Sequence, residues 1–378
     1  MIQGNISQKI GIIGDGQLAL MLAESLQKRG VPFLCLKQSS NSPMERRFPE
    51  ETTADVAQFR KECDAFTLEN EFLSVKELQE LLEEKSSALF PNLASYDHFA
   101  DKVSQRNLYT QLEIPSPQWM ALTPGSDPRS VLQKFSFPFV VKASAGGYDG
   151  KGVRMVKNEQ DFTTAVRDFG FPEGKTLLIE EKVLIKLELA QGFLRQSSGV
   201  STLLPLVHTV QEDGVCNFVY YPAPVPPSIQ DQISSILKKL MEAPLVGIFN
   251  FEFFVDQNDQ VFINEGAPRP HNSQHLTIDA SFFSQFDLLG LHLLGAHDVP
   301  RTVTTKKSAM INLLGKSSGP DYKLTLPETS PDIDVKPKLY HKTTCSPGRK
   351  MGHLNLVDRQ GTHDLKETAQ KIFREYEL

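Results

Sequence analysis

The chain has 378 residues, 40% hydrophobic and 23% charged, with 24 Gly and 24 Pro. That is ordinary globular composition, and it excludes collagenous, low-complexity and largely disordered architectures. Forty Lys and Arg against 46 Asp and Glu leave a net charge of −6, with no basic run longer than Lys238-Lys239 or Lys306-Lys307, which argues against a nucleic acid partner. Cys35, Cys63, Cys216 and Cys345 form no CxxC pair, so neither a zinc site nor a disulfide framework is expected. The start, Met1-Ile2-Gln3-Gly4-Asn5, lacks a signal peptide's basic flank and apolar stretch. No apolar run reaches the roughly 20 residues of a membrane helix. A cytoplasmic protein with no membrane partner is expected, in two or three domains at roughly 100–200 residues each.

Strand and helix alternate in the first segment. Ile10–Ile13 reads as a strand, Leu18–Arg29 as an amphipathic helix, Val31–Leu36 and Asp64–Thr67 as further strands, and Val75–Glu84 as a helix. This alternation implies a parallel, Rossmann-like sheet. The pattern breaks at Phe90-Pro91-Asn92. A helix over Ser95–Leu112 follows, then a strand over Phe137–Lys142 running into a loop with four glycines in the seven residues from Gly146 to Gly152. Val153–Val156 returns as a strand and Leu177–Glu181 is another. Strands dominate from there to about Ala267, with one helix at Pro227–Met241, and the tail beyond Arg301 is mixed and Pro-rich.

Three constellations carry chemistry. Gly14-x-Gly16-x-x-Ala19 joins a strand to a helix in the manner of a dinucleotide fingerprint, whose backbone N–H groups face a phosphate. The acid that an NAD site needs about 20 residues on is missing from Leu34-Cys35-Leu36-Lys37-Gln38, so NAD is not expected. In the glycine-rich loop the backbone can fold over phosphates without Cβ clashes, with Lys142 and Lys151 as charge donors; it is not a P-loop. Phe249–Val255 and Val261–Glu265 form a hairpin, and a turn centred between Asn258 and Asp259 places Glu252 opposite Glu265, with Cβ atoms about 5 Å apart. Such a carboxylate pair suits Mg²⁺, which takes one or two carboxylates plus phosphate oxygens. Downstream, Arg269 and His271 offer contacts for a phosphoryl group or an acidic cosubstrate. Lys342 and the stretch Pro347-Gly348-Arg349-Lys350-Met351-Gly352-His353 gather cationic and titratable side chains in a Gly-containing turn.

Taken together, Gly14–Leu18, Gly146–Gly152, Asn264–Ser273 and Pro347–His353 resemble the ATP-grasp ligases, and among them the N5-carboxyaminoimidazole ribonucleotide synthetases of purine biosynthesis. The likeness covers nearly the whole chain. It implies an α/β protein of three parts, with α+β lid and C-terminal parts: a Rossmann-like pre-ATP-grasp domain over residues 1–97, a lid region over 98–182, and a C-terminal domain over 183–378. It also implies an ADP-forming ligase that uses ATP and Mg²⁺ to carboxylate aminoimidazole ribonucleotide with bicarbonate through carboxyphosphate, and a homodimer. By the same resemblance Lys102 and Lys142 meet nucleotide phosphates, Glu180, Glu181, Lys182 and Val183 lie along adenine, Glu188 accepts ribose hydroxyls, and Glu252 and Glu265 hold Mg²⁺. Gly16, Gln17, Leu18, Glu69, Glu71, Tyr148, Asp149, Lys151, His271, Lys342 and Arg349 fall on positions that bind the ribonucleotide. Arg269, His271, Lys342 and Asp149 would stand at the reacting groups. Phe72, Thr209, Gln211 and Gln274 depart from the usual residues, which keeps two alternatives open: a related ligase with another small acceptor, or a non-catalytic nucleotide-binding relative.

Overall fold

The structure, a computed structural model, describes residues 7–146, 152–171, 173–296 and 298–378. The first part runs β1 (Ile10–Ile13), α1 (Gln17–Lys28), β2 (Phe33–Leu36), α2 (Pro43–Arg47), β3 (Thr52–Thr53), α3 (Val56–Glu62), β4 (Ala65–Leu68) and α4 (Val75–Leu82). Its four strands are parallel in the order β3-β2-β1-β4, the expected Rossmann-like half. The short α2, β3 and α3 have no counterpart in the sequence reading, because two- to seven-residue elements carry too little periodicity to register.

The helix expected over Ser95–Leu112 is two helices, α5 (Leu93–Asp97) and α6 (Lys102–Gln111). Asp101 separates them. Its carboxylate accepts the N–H groups of Val103 and Ser104 at 2.8 and 3.0 Å and caps α6, the usual role of Asp at a helix start. The cap puts Lys102 on the first turn of α6, at the rim of a cleft.

A second sheet follows: β5 (Trp119–Leu122), α7 (Arg129–Lys134), β6 (Phe139–Ala143), β7 (Val153–Val156), α8 (Glu159–Asp168) and β8 (Leu177–Glu181). Its strands are antiparallel in the order β5-β8-β6-β7. Leu122, Val131, Phe139, Phe162 and Ile179 build a core drawn from this unit alone. The unit therefore has a hydrophobic core of its own.

The largest sheet has nine strands. In chain order the elements are β9 (Ile185–Arg195), β10 (Ser201–Leu203), β11 (Val207–Glu212), β12 (Val215–Tyr221), α9 (Pro227–Glu242), β13 (Gly247–Asp256), β14 (Val261–Ala267), α10 (Thr277–Ala280), α11 (Gln285–Leu293), β15 (Ser308–Leu314), β16 (Ile333–Leu339), β17 (Lys350–Asp358) and α12 (Leu365–Glu375). The strand order is β14-β13-β9-β11-β12-β15-β17-β16, with β10 paired to β9. Helix α9 buries Ile229, Ile233, Ile236, Leu237 and Leu240, one helical stripe, against Phe249, Phe251 and Phe253 of β13. Another core joins Leu20, Met21 and Leu26 of α1 to Phe286 and Leu289 of α11 and Leu194 of β9. The parallel sheet is thus docked through shared apolar packing, reinforced by Arg29 and Ser25 on Asp287 at 2.5 and 2.6 Å.

The hairpin register corrects the expectation in an informative way. Near the turn Val255 pairs with Val261, Phe254 with Phe262 and Phe253 with Ile263, so the turn centres on Asn258 itself. A β-bulge then inserts Asn264, and Glu252 pairs with Glu265 after all. The tail also differs from its expected turn: only residues up to Arg349 precede the strand, because Lys350–Asp358 is β17.

Two glycines predict different outcomes. A Cβ on Gly352 would lie 2.2 Å from the backbone oxygen of Lys338, so Gly352→Ala should cost about 1–3 kcal/mol. On Gly290, inside helix α11, it would meet only the side-chain end of the buried Leu26, at 3.1 Å. That tight contact is set against the roughly 0.5–1 kcal/mol that Ala gains over Gly in a helix, so Gly290→Ala should cost clearly less than Gly352→Ala. Urea unfolding midpoints of the two variants check this.

Candidate active site

A cleft of about 1400 Å³ opens between the small antiparallel sheet, one face of the large sheet and the C-terminal ends of the parallel strands. At one end its walls are aliphatic and aromatic, with Val140, Val153, Met155, Leu184, Ile185 and Phe254, alongside Glu181, Lys182 and Val183. Such a slot suits a flat base.

Beside it lies a buried charge cluster. Arg106 Nε donates to Glu180 Oε1 at 2.5 Å, and Lys142 Nζ stands 2.7 Å from Glu180 Oε2 and 3.1 Å from Asn264 Oδ1. Burial pushes the Glu180 carboxyl up, but the charges of Lys142 and Arg106 outweigh that and hold it below the usual range. Glu180 therefore spends its carboxylate on holding Lys142 in place. Glu181 is exposed, and its carboxylate accepts the N–H of Gln118 at 2.8 Å. Lys102 Nζ reaches Glu265 Oε2 at 3.0 Å.

The Glu252–Glu265 pair forms the floor. The charge of Lys102, against the cost of burial, holds Glu265 low. Glu252 is pushed up by burial, then by the charges of Glu265 and Glu188. Glu188, two strand positions along the same face, is itself raised to about 7 by burial, partly offset by a hydrogen bond from Gln211. Three acids thus share one face; Lys102 pairs with Glu265, while Glu252 and Glu188 stay raised, the cost of burying like charges together.

Toward the parallel sheet the cleft is shaped by the loop after β4. Glu71 grips Arg269 in a two-point ion pair, Nε–Oε2 at 2.5 Å and Nη2–Oε1 at 2.9 Å. His271 Nε2 lies 3.7 Å from Glu252 Oε1, and burial together with the Arg269 charge lowers its pKa to about 4, leaving it neutral. Buried Gln285 accepts the His271 N–H and donates to its carbonyl, both at 2.8 Å. Glu69 brings a correction. Its carboxylate accepts the N–H groups of Gly16 and Ala19 at 2.6 and 3.1 Å, so the Gly16 amide expected to meet a ligand phosphate is already engaged. A Cβ on Gly14 or Gly16 would come within 2.4 or 2.7 Å of Glu69. In this structure the glycines of the fingerprint make room for a carboxylate of the protein itself.

At the far end, Gln17 and Leu18 face Ser39–Pro43 and the C-terminal cluster across the cleft, where Lys342, Thr343, Arg349 and Lys350 line the wall. Lys342 Nζ donates to the Lys350 carbonyl at 2.5 Å, and Arg349 Nη1 to the Thr344 carbonyl at 2.8 Å. His353 does not join them; it is buried against Tyr340, whose hydroxyl meets its Nδ1 at 2.9 Å. Gln274 is likewise buried, donating to the Pro205 carbonyl at 3.0 Å, whereas Phe72, Thr209 and Gln211 do line the cleft. Tyr148, Asp149 and Lys151 lie outside the described residues.

The sequence reading missed Arg106 and the Ser39–Pro43 loop, and it gave Asn264 and Lys350 no role beyond membership of their motifs. Arg106 was legible as the i+4 neighbour of Lys102 on one helix face. The polar run after β2 was legible as a loop at the C-terminal edge of a parallel sheet, where ligands bind.

Comparison with known proteins now bears on this geometry. Residues 7–97 match the ribonucleotide synthetase preATP-grasp domain, 107–286 the ATP-grasp domain, and 308–368 the phosphoribosylaminoimidazole carboxylase C-terminal domain. The N5-carboxyaminoimidazole ribonucleotide synthase of Synechococcus elongatus is 33% identical over 363 residues, spanning 92% of this chain and 89% of the relative. The chain belongs to the N5-carboxyaminoimidazole ribonucleotide synthase family. Among solved structures of that family, the Aspergillus clavatus enzyme complexed with ATP is 26% identical with a TM-score of 0.80, covering 97% of this chain and 99% of that one. The same enzyme with ADP and 5-aminoimidazole ribonucleotide is 25% identical with a TM-score of 0.79 over the same shares. The three-part ATP-grasp architecture expected from the sequence is therefore shown.

The charge cluster yields a contrast between neighbours. Glu180→Gln leaves Arg106 and Lys142 buried without their carboxylate and should cost about 3–5 kcal/mol. Glu181→Gln loses one exposed hydrogen bond and should cost about 1 kcal/mol or less. Equal losses in denaturant unfolding would contradict the assignment of Glu180 to the buried cluster.

Proposed function

We propose that this chain carboxylates the N5 amine of 5-aminoimidazole ribonucleotide, driven by ATP, as an ADP-forming ligase of purine biosynthesis. Family membership supports the reaction, and one observation carries the reading to this site: the cleft offers two separate anion-binding ends. Lys102, Lys142 and the Glu252–Glu265 pair serve a nucleotide triphosphate with its cation. Gln17 and Leu18, with Lys342 and Arg349, serve a second phosphate, that of the acceptor. The division into residues 1–97, 98–182 and 183–378 is kept as part of the proposal, supported by the separate core of the small antiparallel sheet.

Mg²⁺ fits the carboxylate pair. Glu252 is raised by burial and by Glu265, an electrostatic cost that a divalent cation relieves. Among the described residues no group of three or more His, Cys, Asp or Glu is placed to hold a metal, so nucleotide phosphate oxygens and water would complete the shell. Glu252 and Glu265 would hold the ion, which when bound offsets charge on the transferring phosphoryl group.

Bicarbonate is the proposed first acceptor. One of its oxygens takes the γ-phosphoryl group, ADP leaves, and carboxyphosphate forms. The bond between its carbon and the bridging oxygen then breaks, giving CO₂ and phosphate, and the N5 amine bonds to the carbon while its proton passes to phosphate. Arg269, fixed by Glu71, presents its guanidinium to these oxygens. Neutral His271 donates or accepts a hydrogen bond there without adding charge. Glu188, with Gln211 as its partner, accepts a ribose hydroxyl. Tyr148, Asp149 and Lys151 complete the acceptor site in this reading. Catalysis is positioning and charge neutralisation in a closed site. A cytoplasmic location and a homodimer complete the proposal; sedimentation equilibrium checks the latter.

ADP release should require both bicarbonate and aminoimidazole ribonucleotide, each omitted in turn. Glu265→Gln should abolish it with far less effect on thermal stability. Arg349→Ala removes a charge-assisted contact of about 1.5–3 kcal/mol, so apparent acceptor affinity should fall roughly ten- to a hundredfold while that for ATP barely changes. A dephosphorylated nucleoside that works equally well would overturn the acceptor assignment.

A further inference from the structure

His271 opens a single 3₁₀ turn, Asn272–Gln274, as its N-cap. Its Nδ1 accepts the backbone N–H of Ser273 at 3.3 Å and lies 2.9 Å from the Ser273 hydroxyl. A backbone N–H can only donate. Nδ1 therefore carries no proton, the hydroxyl donates to it as well, and the one ring proton sits on Nε2. Nε2 is the nitrogen that stands 3.7 Å from Glu252 Oε1. The backbone of His271 is clamped too. Gln285 Oε1 accepts the His271 N–H, which turns its amide NH₂ to the His271 carbonyl at 2.8 Å and to His275 Nδ1 at 3.0 Å. Ser273, His275 and Gln285 are all buried, and Thr277 Oγ1 accepts the N–H of Gln285 at 3.1 Å. Turning the ring over would set a C–H against the Ser273 N–H and hydroxyl.

We infer that Ser273 is a positioning residue that fixes His271 in its Nε2–H form, so that the ring serves the reaction as a hydrogen-bond donor and never as a base. The inference rests on the bicarbonate reading above and sharpens it. A bond from Nε2–H strengthens as negative charge gathers on the oxygens of bicarbonate and carboxyphosphate. Neither ring nitrogen has a free lone pair to offer the N5 amine, which leaves phosphate as the group that takes the amine proton. Arg269 and His271 then divide the work. The first supplies charge, the second an uncharged N–H of fixed direction. Ring and backbone are both held before anything binds, so the donor needs no reorganisation at the moment of reaction.

Two-bond proton–nitrogen NMR correlation of the imidazole rings reads the tautomer directly. In the parent enzyme at neutral pH, with the His271 signals assigned by their loss in His271→Gln, a bare Nδ1 and a protonated Nε2 are expected. A protonated Nδ1 overturns the inference. Ser273→Ala keeps the N–H and loses the hydroxyl. Its kcat for ADP release should fall roughly two- to tenfold, with the KM values for ATP and aminoimidazole ribonucleotide unchanged and an Nδ1–H signal appearing. Two substitutions of His271 separate donor from cap. Asn is a favoured N-cap, but its amide reaches only where Nδ1 stands; Gln is not, but its amide N–H reaches where Nε2 stands. His271→Asn should hold the thermal midpoint better yet lose roughly 10²–10³ in kcat. His271→Gln should give up more of the midpoint and keep about tenfold more kcat than His271→Asn. The reverse order, with activity following the midpoint, marks a merely structural His271 and overturns the inference. So does a Ser273→Ala enzyme with parental kcat and unchanged ring signals. All of these failures leave the bicarbonate reading standing, whereas parent ADP release that ignores bicarbonate overturns that reading, and the inference with it.

Discussion

Two carboxylates held face to face in a buried cleft set the terms for everything around them. Glu252 and Glu265 repel one another across adjacent strands, and the protein answers with asymmetry. Lys102 is placed by its Asp101-capped helix against Glu265 only, so one acid is driven low and the other high. Lys142 and Arg106 pair with Glu180 and Arg269 with Glu71, and the charge of Lys350 offsets only part of the push on Glu252. Among the described residues the positive charges near Glu252 do not outweigh its burial and its acidic neighbours. The floor of the cleft is therefore left with an unbalanced acidic charge, the feature on which the proposed nucleotide–cation site rests.

The bulge at Asn264 is what makes the pair possible. Without the inserted residue, the register near the turn would set Glu252 opposite residue 264 and turn Glu265 to the other face, since one residue of slip inverts a strand's side chains. The same insertion supplies the amide oxygen that accepts from Lys142. One irregularity thus couples the Glu252–Glu265 floor to Lys142, in keeping with the frequency of bulges beside active sites.

Much of this was legible in the sequence, and the reasons for the rest are physical. Alternation of strand and helix exposed the parallel sheet, and hydrophobic runs located β6, β8, β13 and β14. The Glu252–Glu265 pairing was anticipated from a symmetric turn that the chain does not form; a bulge, which no periodicity encodes, restored the result. The break at Asp101 was readable as an N-cap but was hidden inside a longer helical pattern. Glu69 could not be foreseen as the partner of Gly16, because a glycine that makes room for phosphate and one that makes room for a carboxylate look alike. His353 was misplaced for a related reason: a histidine beside Arg349 and Lys350 looks like part of a charged turn until β17 carries it into the core.

The last strand of the large sheet has a consequence beyond the site. Among the described residues β16 pairs only with β17, so its other edge carries backbone groups outside the ladder, and it reads Val335-Lys336-Pro337-Lys338 along its middle. Proline cannot donate to an incoming strand, the exposed Lys336 repels a second copy of itself, and Lys338 pairs with Glu24 of α1. A nine-stranded antiparallel sheet would otherwise be a template for growth by edge addition. At this edge the longest sheet is thus blunted against recruiting a second copy of itself.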